Sequence, residues 1–214
     1  MIRAYFNERA AIWDETVAEK DTTKLERMAK SLDIEPSSAL LDVGTGTGVF
    51  VPYLLRKIGR YGRLVTLDFA EEMLKRAWAR GFNGNIEYLH ADVTSIPLSN
   101  EIFDAVVCYS SFPHFQDKLR SLSEINRVLR RGGRLFICHT SSRANINGIH
   151  RQIPAVQNDI IPNEDEMRAI LLAAGFADID ICDNSDSYLA SASKPNVINN
   201  VDSARLFRAS TSLS

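Results

Sequence analysis

Short apolar runs alternate with stretches of helical periodicity along most of this chain, and that alternation restricts the fold more than any other feature. ALLDV (39–43), RLVTLD (63–68), NIEYLHA (85–91), FDAVVCYS (103–110) and RLFICH (134–139) read as strands. VFVPYLLRKI (49–58), EEMLKRAWAR (71–80) and DKLRSLSEINRVLRR (117–131) read as helices. The first carries Pro52 in its opening turn, and the last is stopped by Gly132–Gly133. A helix over 164–175 and strands over 176–183 and 187–193 follow, the strands joined by Asn184–Ser185–Asp186. Two helices, 7–20 and 23–33, come first, and Pro36 with Ser37–Ser38 closes them off. Such an order implies an α/β fold, with a mostly parallel sheet covered on both faces. The expected division is an N-terminal helical cover (1–35), one ligand-binding domain (36–194), and a Ser- and Asn-rich tail (195–214), either disordered or docked on a partner.

Bulk properties exclude several functions. The net charge of −2 gives no general attraction to nucleic acid or an anionic membrane. Arg127, Arg130, Arg131 and Arg134 are close in sequence and read as the solvated end of a helix. Cys108, Cys138 and Cys182 have no metal-ligand spacing and form no disulfide framework, so buried reduced thiols in a cytoplasmic protein are expected. MIRAYFNERAAIWDE lacks the apolar core of a secretory signal. No apolar run approaches the ~20 residues that a membrane span needs.

In a parallel sheet the ligand sits beyond the carboxyl ends of the strands. The first such end is LLDVGTGTGVF, where Gly44, Gly46 and Gly48 leave a strand and open a helix. The third glycine falls one residue earlier than in the dinucleotide fingerprint, and no phosphate-loop Gly-Lys-Ser/Thr follows. The second end offers Asp68, placed to accept both hydroxyls of a ribose, and the third offers Asp92. With Asp42, these carboxylates would repel a pyrophosphate. They suit a ligand carrying a ribose, an exocyclic amine, an ammonium and a sulfonium.

The stretches LLDVGTGTG, TLDFAEEML, HADVTSIPLSNEIFDAVVCYSSFPHF and EINRVLRRGGRLFI resemble the class I S-adenosylmethionine-dependent methyltransferases, in particular the small-molecule branch related to the menaquinone/ubiquinone methyltransferases. The likeness runs from about Tyr5 to Lys194. It implies a Rossmann-like, doubly wound, seven-stranded sheet with one antiparallel strand near its edge. It also implies S-adenosyl-L-methionine as cofactor. Asp42, Gly44, Thr45, Gly46 and Gly48 would line its methionine part. Asp68 would hold the ribose, with Phe69 and Met73 near the adenine, and Asp92 would accept from the adenine amine beside Val93. Tyr109 and Ser110 would border the sulfonium, and Tyr5, Arg9 and Trp13 would belong to the N-terminal cover. Ala70 departs from the family, where a serine often stands.

Methyl transfer requires alignment, exclusion of water and, where the nucleophile needs it, removal of a proton. His139 ends the fifth strand and His114 follows the fourth. The resemblance makes these strands neighbours, so the two imidazoles would share a cleft as base or substrate anchor. Arg143, Asn147 and His150 recur at helical spacing, with Ile146, Ile149 and Ile153 on a second stripe. That pattern gives a helix with isoleucines packed down and polar groups tilted to the cleft. An alternative reading of the same residues has His114, His139 and His150 together hold a divalent metal. His90 reads as structural, and Tyr188 as core rather than substrate wall. The expected function is methyl transfer to a small-molecule acceptor, without nucleic-acid or membrane partners. A noncatalytic S-adenosylmethionine-binding module and a nicotinamide-dependent dehydrogenase remain as alternatives. The acceptor and the oligomeric state are not legible.

Overall fold

The computed structural model describes residues 2–17 and 19–196. Seven strands form one sheet: β1 (Ala39–Val43), β2 (Arg63–Asp68), β3 (Ile86–His90), β4 (Phe103–Tyr109), β5 (Leu129–His139), β6 (Ala177–Asp183) and β7 (Tyr188–Ser193). Their order is β3-β2-β1-β4-β5-β7-β6. β7 runs antiparallel to both neighbours, and the other four pairings are parallel, which gives a mostly parallel, doubly wound sheet of the expected kind. The central strands are buried along almost their whole length, which is why they read as continuous apolar runs.

The helices are α1 (Ile2–Arg9), α2 (Trp13–Thr16), α3 (Thr22–Ser31), α4 (Val51–Ile58), α5 (Glu71–Ala79), α6 (Lys118–Val128), α7 (Arg143–Arg151) and α8 (Glu164–Ala173). Side-chain caps start several of them: Asp21 for α3, Asp117 for α6, Ser142 for α7, and a reciprocal Asn163–Glu166 box for α8. Ala70 caps α5 with no side chain; instead its amide donates to Asp68 Oδ1 (2.8 Å). Two large apolar clusters fill the two faces of the sheet. A third joins Phe6 and Ala10 to Ala70 and Met73, seating the N-terminal helices on α5.

Several expectations need correction. The first helix is broken into α1, a 3-10 turn over Ala10–Ile12, and α2. Helix α6 ends at Val128, and the chain turns directly into β5, because Leu129 is fully buried and pairs with Phe103. Hence Arg130, Arg131 and Arg134 lie on a strand, not at a helix end. They pair with Asp104, Glu101 and Asp33, while Arg127 binds Glu124 and the carbonyls of Ile96 and Leu98. Cys108 and Cys138 are buried, but Cys182 is exposed. The tail expected over 195–214 lies, apart from residues 195 and 196, outside the described residues. Among the described residues no helix is long and apolar enough to cross a membrane.

Candidate active site

A cavity of about 700 Å³ opens at the carboxyl ends of β1, β2, β4 and β5. Its floor begins at the glycine loop. Gly44 has φ +72°, and a Cβ there would stand 2.4 Å from the Ser111 Cβ, so only glycine lets the loop pass the β4 end. Ser111 Oγ in turn donates to the Val43 carbonyl (2.6 Å). Gly46, φ +56°, faces open space with no heavy atom within 4 Å of its Cβ position. Gly48 points the other way, against Phe82 and Ala77, and does not line the cavity.

Four of the loop amides are already committed. Gly44 and Thr45 donate to the Leu67 carbonyl (2.7 and 3.1 Å), Gly46 to Asp68 Oδ2 (2.7 Å) and Gly48 to the Thr45 carbonyl (2.9 Å). A pyrophosphate needs such amides free, so this loop is poorly built for a dinucleotide. Asp68 is buried at the cavity wall, and burial raises its carboxyl to about 6 against the hydrogen bonds from Ala70 and Gly46. Each of its oxygens retains a lone pair. Asp42 sits beneath the loop rather than in the cavity: it accepts from Thr45 Oγ1 (2.6 Å), and burial lifts it to about 7. Asp92 lines the cavity and accepts from Thr94 N and Oγ1 (2.9 and 2.7 Å).

Phe69, Met73, Val93, Tyr109, Ser110, Tyr5 and Trp13 also line the cavity, as does Thr45. Arg9 does not; it lies over the Tyr5 ring at 4.8 Å. Tyr109 stacks on Phe50 (4.3 Å) and hydrogen-bonds Thr140 (3.0 Å), which also donates to Glu19 (3.1 Å). Ser110 holds φ +52°, a conformation that costs a non-glycine residue about 1–3 kcal/mol and is typical of working sites. The N-terminal segment is tied across this region. Asn7 accepts from the Glu72 amide (3.0 Å), and Asp14 joins the Thr47 hydroxyl to Arg80. Among the lining residues Glu19, Asp68, Asp92 and Asp117 are acidic and Lys24 is the one lysine, a balance that favours a cationic ligand.

The histidines gather at the far wall. His114 Nδ1 meets Asp159 Oδ2 at 2.9 Å, and its ring packs 4.9 Å from Phe6 and 4.9 Å from His150. Burial pulls His114 below its usual range in spite of the Asp159 hydrogen bond. Burial would raise Asp159, but its hydrogen bond to His114 and its neighbours hold it low. His150 Nδ1 donates to the Asp159 carbonyl. His139 is 3% exposed, and burial, with His114 and His150 adding to it, pushes it down to about 3. Its Nε2 is buried without a partner, as is the hydroxyl of Tyr188, the residue opposite it in the β5–β7 ladder.

Of the polar stripe of α7, His150 reaches the cavity and Arg143 and Asn147 do not. Arg143 binds Asp183 through its amide and Nε (3.0 and 3.3 Å) and lies outside the cavity. Asn147 is buried, its amide group exchanging two 2.9 Å hydrogen bonds with the Ile161 backbone. The isoleucines line the cavity instead, Ile146, Ile149 and Ile153 beside His150. Periodicity defines stripes but not which one faces inward. His90 is exposed and bonds the Phe69 carbonyl (3.1 Å). Among the described residues no three His, Cys, Asp or Glu side chains form a group able to hold a metal, which removes the support for a three-histidine centre. Asp159, the partner of two histidines, was missed: it stands in an aperiodic loop with no motif around it.

A methyltransferase domain model matches residues 41–137. The ubiquinone/menaquinone biosynthesis C-methyltransferase UbiE of Teredinibacter turnerae is 32% identical over 116 residues, covering 52% of this chain and 47% of the relative. The Escherichia coli UbiE is 27% identical over 174 residues, covering 69% of each. The match thus spans about half the length of the first relative and about two thirds of the second. An S-adenosylmethionine-dependent methyltransferase structure from Aquifex aeolicus shares the fold, with TM-score 0.70, 24% identity, and coverage of 84% of this chain and 96% of that one. Over residues 41–137 the chain matches a methyltransferase domain, it is similar in sequence to the menaquinone/ubiquinone C-methyltransferases, and it shares the fold of S-adenosylmethionine-dependent methyltransferases.

Proposed function

We propose that this protein transfers a methyl group from S-adenosylmethionine to a small-molecule acceptor, with His114 as the base and His139 as part of the acceptor wall. The observation that carries this reading is one cavity joining the glycine loop, Asp68 and Asp92 at one end to the His114–Asp159 pair at the other. The cofactor fits the residues present. The committed loop amides disfavour a pyrophosphate, Gly46 leaves room at the loop, and the acidic lining suits a sulfonium. By this reading Asp68 accepts from ribose hydroxyls, Asp92 from the adenine amine, and Phe69, Met73 and Val93 enclose the base. Tyr109 and Ser110 face the reacting end, with Tyr5 and Trp13 over it.

When bound, S-adenosylmethionine supplies a methyl carbon already activated by a sulfonium. The protein then has to orient the acceptor, remove its proton and keep water out. Burial keeps the His114 imidazole neutral near pH 7, so its free nitrogen can take that proton. The imidazolium formed would face the Asp159 carboxylate. Phe6 closes on the His114 ring and excludes water from it. Ile146, Ile149, Ile153 and Val156 give the acceptor an apolar seat.

The test is calorimetric titration with S-adenosylmethionine, with NAD as control, followed by an acceptor screen using radiolabelled methyl donor. Binding of S-adenosylmethionine alone is expected. With an acceptor in hand, His114→Ala should reduce kcat about 10²–10⁴-fold, the usual worth of a positioned base, with cofactor affinity retained. NAD binding, or full turnover by the variant, defeats the respective assignment.

A further inference from the structure

His114 and His150 come from different elements, the turn after β4 and helix α7, yet both line one wall of the cavity with their rings 4.9 Å apart. Each is bound through Nδ1 to the same residue: His114 to the Asp159 carboxylate, His150 to the Asp159 backbone carbonyl. A carboxylate and a peptide carbonyl only accept hydrogen bonds, so both Nδ1 atoms carry the hydrogen. In a neutral imidazole this leaves Nε2 a bare lone pair. Among the described residues neither Nε2 has a hydrogen-bond partner in the protein. Asp159 itself does not line the cavity, so each ring turns its Nδ1 edge to the protein and its Nε2 edge away from it. Gln116 Nε2 braces the other Asp159 oxygen at 3.3 Å.

Two adjacent acceptors with no hydrogen to offer are a poor seat for a carboxylate, an ether or a ketone. They match a group with two hydrogens to give. We propose that Asp159 is a positioning residue that fixes both imidazoles as acceptors, and that the methyl acceptor carries paired donors, a primary amine or two adjacent hydroxyls. The substrate class rests on the methyltransferase reading above; the tautomer assignment does not. A hydroxyl would give its hydrogen to His114 Nε2 as its oxygen bonds to the methyl carbon, and an amine would give one there after its lone pair has made that bond. In either case the broken C–S pair would stay on the methyl donor's sulfur, while the second hydrogen remains bonded to His150 and holds the group in place.

Nitrogen-15 NMR of protein labelled in histidine tests both parts. The free protein should show His114 and His150 with Nδ1 protonated and Nε2 bare. Catechol and benzylamine are the probes, with guaiacol and N,N-dimethylbenzylamine as controls lacking the donor pair. Both Nε2 signals should move together with catechol or benzylamine, and no more than one with its control; the probe that acts tells hydroxyls from amine. Asp159→Asn can turn its amide nitrogen toward His114, so that ring should change tautomer while His150, held by a backbone carbonyl, does not. A hydrogen on His114 Nε2 in the unmodified protein overturns the positioning role, and it needs no variant to fold. Equal response to probes and controls, or none to either probe, overturns the donor pair. Titration of the same sample with S-adenosylmethionine separates the readings: no binding with the tautomers as expected defeats the methyltransferase, not Asp159.

Discussion

Replacing His139 with leucine should make the protein more stable, most of all in acid. His139 is 3% exposed and its Nε2 is buried with no partner. A buried polar group left unpaired costs about 1–3 kcal/mol, so removing it offsets the loss of the imidazole's packing and should leave the variant ~1 kcal/mol more stable at pH 7. The pH dependence is sharper. Burial holds the folded pKa near 3, against 6.5 for a free histidine. As pH falls below 6.5 the unfolded chain therefore takes up a proton that the folded chain refuses. The stability this group allows is complete above that value and is lost as pH falls toward 3. At pH 5 the loss is about 1.5 pH units at 1.36 kcal/mol each, ~2 kcal/mol, and the gap between variant and parent should widen to ~3 kcal/mol. Asp42 and Asp68 act in the opposite direction, since their raised values favour the folded state as pH falls through about 7 and 6. Both remain in the variant, so they cancel in the difference. Urea unfolding of the two proteins at pH 7 and pH 5 measures it. A variant less stable at pH 7, or a gap that does not grow in acid, would falsify the picture of a neutral, unpaired imidazole. The variant should also turn over acceptor more slowly, because a residue kept at this cost of stability is expected to serve the site.

Two further outcomes are expected. Gly44→Ala should unfold at a urea concentration lower by the equivalent of at least ~2 kcal/mol, since strain and a 2.4 Å clash with Ser111 combine, whereas Gly46→Ala, strained by ~1 kcal/mol but unobstructed, should lose cofactor affinity more than stability; paired unfolding curves and calorimetry compare them. Asp14→Ala should cost less than ~1 kcal/mol of global stability but speed hydrogen exchange in residues 2–17 and cofactor release, because it cuts the tie between the N-terminal segment, Thr47 and Arg80; unchanged exchange there would show that the apolar contacts of Phe6 hold the segment unaided.

The sheet was legible because its central strands are buried on both faces and bounded by Gly, Pro and Asp. The boundary after α6 was not. Its arginines suit a helix as well as a strand, and the deciding contact, Leu129 with Phe103, lies 26 residues away. The glycine loop and Asp68 were legible because a tight strand-to-helix turn restricts residue type. What lay beyond the strands was read less well. Helical spacing placed Ile146, Ile149 and Ile153 on one stripe but not on the cavity side. Arg143 was lost to Asp183 and Asn147 to Ile161, partners no local pattern reveals. Asp159 hydrogen-bonds two histidines that lie 45 and 9 residues away in sequence, so only the folded chain brings the three together.

The place of β7 bears on how such a site comes into being. As a ribosome delivers the chain, β1 to β5 emerge in an order that lets each find a neighbour among strands already made. β5 then waits with an open edge until Tyr188–Ser193 arrives, and β6 has no neighbour but β7. Nascent chains shorter than this can form the glycine loop yet leave the wall behind His139 unbuilt. A cofactor cradle would therefore exist before His139 has its backing strand, and the exposed β5 edge, rich in Leu, Phe and Ile, is where a stalled or truncated chain would aggregate.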